Sequence, residues 1–244
     1  MTVSALFVET GGIYATLGCD VWGGHREGKR LVIDRDAREY DGPGPVIAHP
    51  PCERWGRYWS GGPSAKVKRK LGDDDGCFAA ALAAVRNFGG VLEGPEASHA
   101  WKYFGLNRPP QSGGWVVADE LGGLTCCVAQ GHYGHVAQKL TWLYSYGVDP
   151  VEFIWGRCAG RQRLDPGFHS KAERDAAPAH KRLVKRLTRD QRVGTPEPFA
   201  QLLIDLVSPP TERELLARWL EGPIPPPSGA KVTIVGPIRL KDHS

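Results

Sequence analysis

The residue whose setting is best suited to chemistry is Cys52, which follows two prolines in the segment His49-Pro50-Pro51-Cys52. Proline fixes the backbone dihedral φ and therefore presents the thiol on a stiff loop. Stiffness helps a nucleophile that must be held within about 3.5 Å of its target atom. An unreactive cysteine packed at the end of a strand would show the same pattern. Cys52 is therefore a candidate nucleophile, with a structural role left open.

Glu93 is the second candidate, because it ends the apolar run 90–93 and precedes Gly94-Pro95. It lies roughly one strand-helix-strand unit after Cys52. Attack on a pyrimidine ring requires a carboxyl group beside a thiol, since the thiolate adds to carbon 6 while the acid contacts ring nitrogen 3. The alternative is a glutamate that caps a helix or lies on the surface.

An alternating series of strands and helices must position these two side chains. Apolar runs predict strands, three of them before residue 50, and apolar residues at helical spacing predict helices. This alternation favours an α/β fold with a mainly parallel sheet, whose ligands bind beyond the carboxyl ends of the strands. The predicted strands are 4–9, 30–34, 45–49, 90–93, 124–128 and 140–145, the last two as a hairpin or crossing pair, and the predicted helices are 76–88, 177–189 and 198–207.

Aromatic and basic residues alternate directly after the candidate nucleophile. Trp55, Tyr58 and Trp59 are interleaved with Arg54 and Arg57. This composition suits stacking on bases and contact with phosphates, as in an enzyme that flips its target base out of a duplex. A cluster of aromatic core residues with solvated arginines is the equal alternative.

The bulk properties are those of an ordinary soluble domain, with 41% hydrophobic and 24% charged residues in a chain of 244. We expect a cytoplasmic protein, in the host cytoplasm if phage-encoded, because neither a signal peptide nor a membrane span is visible. The six cysteines lack Cys-x-x-Cys spacing, so we expect reduced thiols and no metal site.

Positive charge is concentrated in the segment 157–192, which contains eleven Lys or Arg and four Asp or Glu and so carries about +7. The whole chain carries +4, so the rest of it is slightly negative. Such a segment suits a polyanionic partner, although a solvated surface helix is an equally good reading. We expect a catalytic domain over 1–207 that includes this segment, followed by a C-terminal helix and Pro-rich arm over 208–244.

Four motifs in order resemble those of the carbon-5 cytosine-specific DNA methyltransferases, in particular the short bacteriophage-type members. The resemblance covers roughly residues 4 to 207, and the second motif, which holds the nucleophile, is the specific one. The four motifs are Phe7-Val8-Glu9-Thr10-Gly11-Gly12, Val46-Ile47-Ala48-His49-Pro50-Pro51-Cys52, Val91-Leu92-Glu93-Gly94-Pro95, and Gln130-Gly131-His132-Tyr133-Gly134-His135 with Lys139, Thr141 and Trp142.

The resemblance implies a Rossmann-like class I methyltransferase sheet with a small or absent target-recognition domain. It implies that Cys52 attacks carbon 6 of a cytosine that is flipped out of duplex DNA, and that Glu93 holds the base. It implies S-adenosylmethionine as the cofactor, with Asp20 or Asp34 at its ribose hydroxyls. The implied cofactor-binding residues are Phe7, Glu9, Thr10, Gly11, Gly12, Asp36 and Pro50, and the implied substrate-binding residues are Arg54, Trp55, Gln130, Tyr133, His135, Lys139 and Thr141.

Glu9 departs from the family pattern, since the family has a glycine where the backbone approaches the cofactor. Glu9 could grip the ammonium group of the cofactor or select another one-carbon donor. A second departure is that no long segment for target recognition is visible, so a single nucleotide substrate stays open.

Two other functions remain as alternatives. One is a non-catalytic nucleic-acid-binding protein on a degenerate methyltransferase fold, and the other is a pyrimidine-modifying enzyme with another one-carbon donor. A zinc deaminase is discounted, because Pro51-Cys52 is not followed by the second cysteine of that motif. His49 and Cys52 also lack a companion pair that would complete a metal site.

Overall fold

The apolar runs of the sequence form one eight-stranded sheet in the computed structural model of the chain. The structure describes residues 2–28, 30–61, 69–159, 164, 175 and 187–208. The chain divides into two units, 1–208 and 209–244. The second unit, the helix predicted over 177–189 up to residue 186, and most of the basic segment lie outside the described residues, so the predictions for them stay predictions.

The sheet has the strand order β3-β2-β1-β4-β5-β8-β7-β6. Its four central strands, β2, β1, β4 and β5, run parallel, while β3, β8 and β6 each pair antiparallel with their neighbours. The strands are β1 (Ser4–Glu9), β2 (Asp20–Glu27), β3 (Arg30–Ile33), β4 (Val46–Ala48), β5 (Gly90–Pro95), β6 (Val116–Val117), β7 (Leu124–Ala129) and β8 (Leu140–Tyr146).

The expected α/β class is confirmed, and the expected pairing of 124–128 with 140–145 is an antiparallel pair of β7 with β8. The expectation of a mainly parallel sheet holds only for the centre. Three strand pairs are parallel and four are antiparallel, because the chain returns through short connections at both ends of the sheet rather than through crossover helices.

Helices cover both faces of the sheet. One face packs against α2 through Phe78, Leu82 and Val85, and the other against α5 through Phe199 and Leu203. Each such buried side chain contributes about 1.5–3 kcal/mol. The helices are α1 (Ile13–Thr16), α2 (Cys77–Phe88), α3 (His99–Tyr103), α4 (Arg189–Val193) and α5 (Glu197–Val207), with 3-10 turns at Ala37–Glu39 and Gln130–Tyr133.

Four strands precede residue 50 rather than the expected three, because β2 was not predicted. Its glycines Gly23 and Gly24 interrupt the apolar pattern. A Cβ at Gly23 would lie 1.9 Å from the carbonyl oxygen of Val8, and one at Gly24 would lie 1.9 Å from that of Val32. The two glycines therefore let β2 pass closely between β1 and β3.

Among the helices in the described part of the chain, none is long and apolar enough to cross a membrane.

Candidate active site at the carboxyl ends of the central strands

The strand order places a crevice beside the ends of β1 and β4. From this central pair the sheet extends through β2 on one side and through β5 on the other. In open α/β sheets such a switch point is where ligands bind, beyond the carboxyl ends of the strands. The end of β1 leads into the turn Thr10–Gly12, and the end of β4 leads into His49–Cys52. The two sequence motifs are thereby brought to one edge of the sheet.

Glu93 lies on β5, one residue beyond the pair Ala48 and Leu92 that aligns β4 with β5. Both of its carboxylate oxygens accept hydrogen bonds. Nδ1 of His49 lies 3.4 Å from Oε2, while Nε2 of Gln130 and Oγ1 of Thr141 each lie 3.3 Å from Oε1. The contacts hold the carboxylate in one orientation, and three residues of two separate motifs meet there.

The charge state of Glu93 follows from these contacts. Burial alone raises the pKa of this carboxyl, but the hydrogen bond from His49 and the nearby charge of Lys139 outweigh burial and lower its pKa to about 2. The side chain is 15% exposed. Glu93 is therefore an ionised carboxylate at neutral pH, shielded from most of the solvent.

His49 is held on its other side by Tyr14, a residue of α1 that no sequence motif marks. The Tyr14 hydroxyl lies 2.7 Å from Nε2 of His49, and the ring centroids are 5.2 Å apart. Tyr14 is buried, and burial raises the pKa of its phenol well above the usual value. The phenol is therefore always protonated near neutral pH. A row of three side chains, Tyr14, His49 and Glu93, runs from the turn after β1 to β5.

Cys52 lies at the surface of the crevice with its side chain exposed. Desolvation by surrounding atoms and the negative charges of Glu93 and Glu53 raise the pKa of its thiol, while the charge of Lys139 lowers it. The loop that carries the thiol is a tight turn, in which the amides of Trp55 and Gly56 both donate to the Cys52 carbonyl oxygen. The resting form is a thiol, so its proton must leave as it attacks.

The ammonium group of Lys139 interacts electrostatically with both Cys52 and Glu93. Burial lowers the pKa of its ammonium group, and the charges of Glu93 and Cys52 raise it. The ammonium group donates to the carbonyl oxygens of Val193 at 3.1 Å and Gly194 at 2.9 Å, just at the end of α4. These bonds fix a positive charge beside the thiol and the carboxylate.

The glycine turn after β1 lies open. A Cβ at Gly11 would meet nothing within 4 Å, and Glu9 is exposed. The Thr10 hydroxyl donates to Asp34, and the amide of Gly12 donates to the Glu9 carbonyl oxygen at 2.9 Å. Hydrogen bonds therefore fix the backbone of the turn, while its surface at Gly11 stays accessible. A cofactor site needs both properties.

Two further members of the predicted cofactor set are partly or fully buried. Phe7 adopts a left-handed φ of 61° at a bulge of β1 and is partly buried. Pro50 is buried at the end of β4.

The predicted carboxylates for adenine and ribose already have protein partners. Asp36 accepts bonds from the Arg38 guanidinium on both oxygens, from Nε on Oδ1 and from Nη2 on Oδ2. Asp20 pairs with Arg35 at 2.5 Å. Asp34 contacts His25 at 2.9 Å. A cofactor would have to displace or share these partners.

Two predicted substrate residues pack against core aromatic side chains. Trp55 is only 2% exposed and packs against Phe78, with its indole N–H donating to Asp74 at 2.7 Å. Of the two alternatives for Trp55, its burial favours a core residue. Tyr133 packs against Phe199 on the other face of the sheet.

His135 and Arg54 differ from these two. His135 is buried, and its Nδ1 lies within hydrogen-bond distance of the backbone of Ala137. Arg54 is half-buried, and its Nε and Nη1 atoms are buried without a hydrogen-bond partner among the described residues. An arginine in that condition beside Cys52 suits an anionic ligand.

No protein-family model matches this chain, and no curated protein and no solved structure matches it either. The described residues contain no group of three or more His, Cys, Asp or Glu side chains that could hold a metal ion. Fold and site together define an α/β protein with a thiol, an ionised carboxylate and an ammonium group at the switch point of its sheet.

Proposed function

We propose that this protein transfers a methyl group from S-adenosylmethionine to carbon 5 of cytosine in DNA, with Cys52 as the covalent nucleophile. The observation that supports it best is the placement of Cys52 and Glu93 at the ends of the adjacent parallel strands β4 and β5, next to Lys139. Gln130 and Thr141, which come from the fourth motif, both contact Glu93.

The proton balance of the attack follows from the protonation states. Cys52 begins as a thiol and Glu93 as a carboxylate. As sulfur bonds to carbon 6, the S–H bond breaks, Glu93 takes the proton, and the electron pair of the 5,6 double bond moves toward ring nitrogen 3. Glu93 passes the proton to that nitrogen, so no other acid is needed. Carbon 5 is then electron-rich and would accept the methyl group. Loss of the carbon 5 proton to solvent and of the Cys52 thiolate from carbon 6 would restore the 5,6 double bond, and ring nitrogen 3 would return its proton through Glu93 to the sulfur.

Lys139 assists by charge rather than by proton transfer. Its ammonium group lowers the pKa of Cys52 and thereby favours the thiolate. In a partly buried site this attraction is stronger than in water.

S-adenosylmethionine would supply the methyl group from its sulfonium. The turn Thr10–Gly12 and the exposed Glu9 carboxylate would hold its methionine part, with Glu9 facing the ammonium group. The open space at Gly11 supports this fit. Asp36 is already held by Arg38, so it is a weaker contact than the sequence suggests.

DNA is supported as the substrate by side chains exposed just after the nucleophile. Tyr58 is 55% exposed, and the guanidinium of Arg57 lies 5.8 Å from the centre of its ring. An aromatic face beside a cation suits stacking on a base next to the target and contact with its phosphate.

Glu9 favours one alternative, a pyrimidine-modifying enzyme that uses another one-carbon donor. Its carboxylate stands exposed in place of the family's glycine, while Asp20, Asp34 and Asp36 are engaged by protein groups. A donor with a cationic group but no adenosine would fit that arrangement.

The test is to incubate the protein with S-adenosylmethionine and cytosine-containing DNA, digest the DNA to nucleosides and measure 5-methylcytosine by mass spectrometry. Cys52→Ala should abolish the product and leave DNA affinity nearly unchanged. Cys77→Ser, which changes a half-buried cysteine on α2, is the matched control and should keep the activity.

Absence of 5-methylcytosine, together with absence of S-adenosylmethionine binding by calorimetry, would refute the proposed donor. A modified cytosine formed with a different one-carbon donor would support the alternative. DNA binding without any product would identify a binding protein.

A further inference from the structure

We propose that Tyr14 and His49 are positioning residues, which fix one tautomer of the His49 ring and so hold the Glu93 carboxylate in its working orientation. Tyr14 lies outside the four motifs, and His49 lies in the second motif but has no catalytic or binding role implied by the family resemblance. The inference rests on the proposed function for its effect on turnover, while the tautomer itself depends only on the geometry.

The hydrogen bonds of His49 leave one consistent arrangement. The Tyr14 hydroxyl is 2.7 Å from Nε2, and Glu93 Oε2 is 3.4 Å from Nδ1. A carboxylate can only accept, so Nδ1 must carry the proton that it receives. Nε2 then has a free lone pair and accepts the hydroxyl proton of Tyr14. Neutral His49 is therefore the Nδ1–H tautomer.

The opposite tautomer would leave two groups without a proper partner. An Nε2–H would turn the Tyr14 oxygen into an acceptor, and its own proton would then have no acceptor among the described residues. A bare Nδ1 would face the negative Oε2 of Glu93. Because Tyr14 is buried, water cannot easily replace the lost bond.

Three charged or titratable groups lie around this row. The thiol of Cys19 lies near Tyr14, and Lys139, at the start of β8, and Cys52, on the loop after β4, lie near Glu93. Gln130 and Thr141 both bond to Oε1. Among the described residues, His49 is the one side chain with a hydrogen bond to Oε2.

The row also links the two halves of the crevice. Tyr14 lies in α1, which begins directly after the glycine turn, while Glu93 lies on β5. The position of α1 therefore sets the position of the imidazole, and the imidazole sets the carboxylate that receives the Cys52 proton.

The test measures the tautomer directly, by long-range proton–nitrogen correlation spectra of the ¹⁵N-labelled protein without cofactor or DNA. Wild-type His49 should show the Nδ1–H pattern near pH 8. Tyr14→Phe should keep the Nδ1–H pattern, because Glu93 still accepts that proton, but should move the ¹⁵N signal of the bare Nε2 downfield, since Nε2 loses its hydrogen-bond donor. Tyr40→Phe is the matched control, because it removes a buried hydroxyl that bonds to Ser4 and Gly44 instead.

Turnover provides the second measurement. Tyr14→Phe should lower kcat about tenfold with KM for DNA unchanged, as expected for loss of one oriented hydrogen bond. His49→Asn should retain more activity than His49→Ala, because its amide N–H can occupy the place of Nδ1–H.

An Nε2–H pattern in the wild-type protein, or an Nε2 signal that Tyr14→Phe leaves in place, would overturn the inference. Equal activities of His49→Asn and His49→Ala would also overturn it. If the protein makes no methylated cytosine at all, the proposed function fails while the spectra still decide the tautomer, so the two failures can be told apart.

Discussion

Replacing Glu93 by glutamine removes the charge around which the crevice is organised, and the structure gives the size of the effect. The contacts of Glu93 lower its pKa from 4.5 to about 2 despite burial. At about 1.4 kcal/mol for each pKa unit, this corresponds to about 3 kcal/mol of stabilisation in favour of the ionised form. Glu93→Gln should therefore lower the free energy of unfolding by about 3 kcal/mol at pH 7.

The pKa shift of Glu93 also predicts how the stability difference between wild type and Glu93→Gln changes with pH. A carboxyl whose pKa is lower in the folded than in the unfolded state stabilises the fold fully above the unfolded pKa, and loses that contribution as the pH falls through the folded pKa. The difference between wild type and Glu93→Gln should stay constant from pH 7 to about 5 and shrink below the ordinary value of 4.5.

Urea unfolding at a series of pH values measures both quantities. Glu96→Gln is the matched control, since among the described residues the Glu96 carboxylate accepts from Gln111 at 2.9 Å and lies 4.0 Å from Arg157. This substitution should change stability by less than about 1 kcal/mol. A Glu93→Gln protein as stable as wild type at pH 7, or a difference that grows in acid, would refute the reasoning.

Three further predictions follow from packing and charge. Trp55→Ala should lower the free energy of unfolding, measured in urea, by about 3–5 kcal/mol, because Trp55 is a core residue. Tyr58→Ala should change the free energy of unfolding by less than about 0.5 kcal/mol. It should weaken DNA binding in a fluorescence assay. Lys139→Met should raise the pKa of Cys52, seen as slower alkylation by iodoacetamide near neutral pH, and unchanged rates would contradict this. Gly90→Ala places a Cβ 2.0 Å from the backbone of β4 and should prevent stable folding, which circular dichroism would show.

The position of the site was predictable where the local sequence carries the signal. Apolar runs end at Pro50 and at Gly94, so Cys52 and Glu93 could be placed at strand ends without a structure. Their closeness follows from the parallel pairing of β4 with β5, which the alternation of strands and helices favours.

The side chains that hold Glu93 and His49 in place could not be predicted, because they come from distant parts of the chain. Tyr14 and His49 are 35 residues apart, and no spacing rule connects them. Trp55 belongs to a mixed aromatic and basic segment whose composition fits both a core and a stacking surface. Strand β2 was not predicted because Gly23 and Gly24 interrupt its apolar pattern. The reason for these two glycines is the close approach of β1 and β3, which only the structure shows.

The central claim is that Cys52 forms a covalent bond with the target cytosine, and trapping tests it most directly. Duplex DNA with 5-fluorocytosine should be incubated with the protein and S-adenosylmethionine, because fluorine at carbon 5 blocks release of the enzyme. We predict a denaturant-resistant complex whose cross-linked peptide maps to Cys52, absent in Cys52→Ala and present in Cys77→Ser. A complex that persists in Cys52→Ala, or methylated cytosine made by that variant, would contradict the claim.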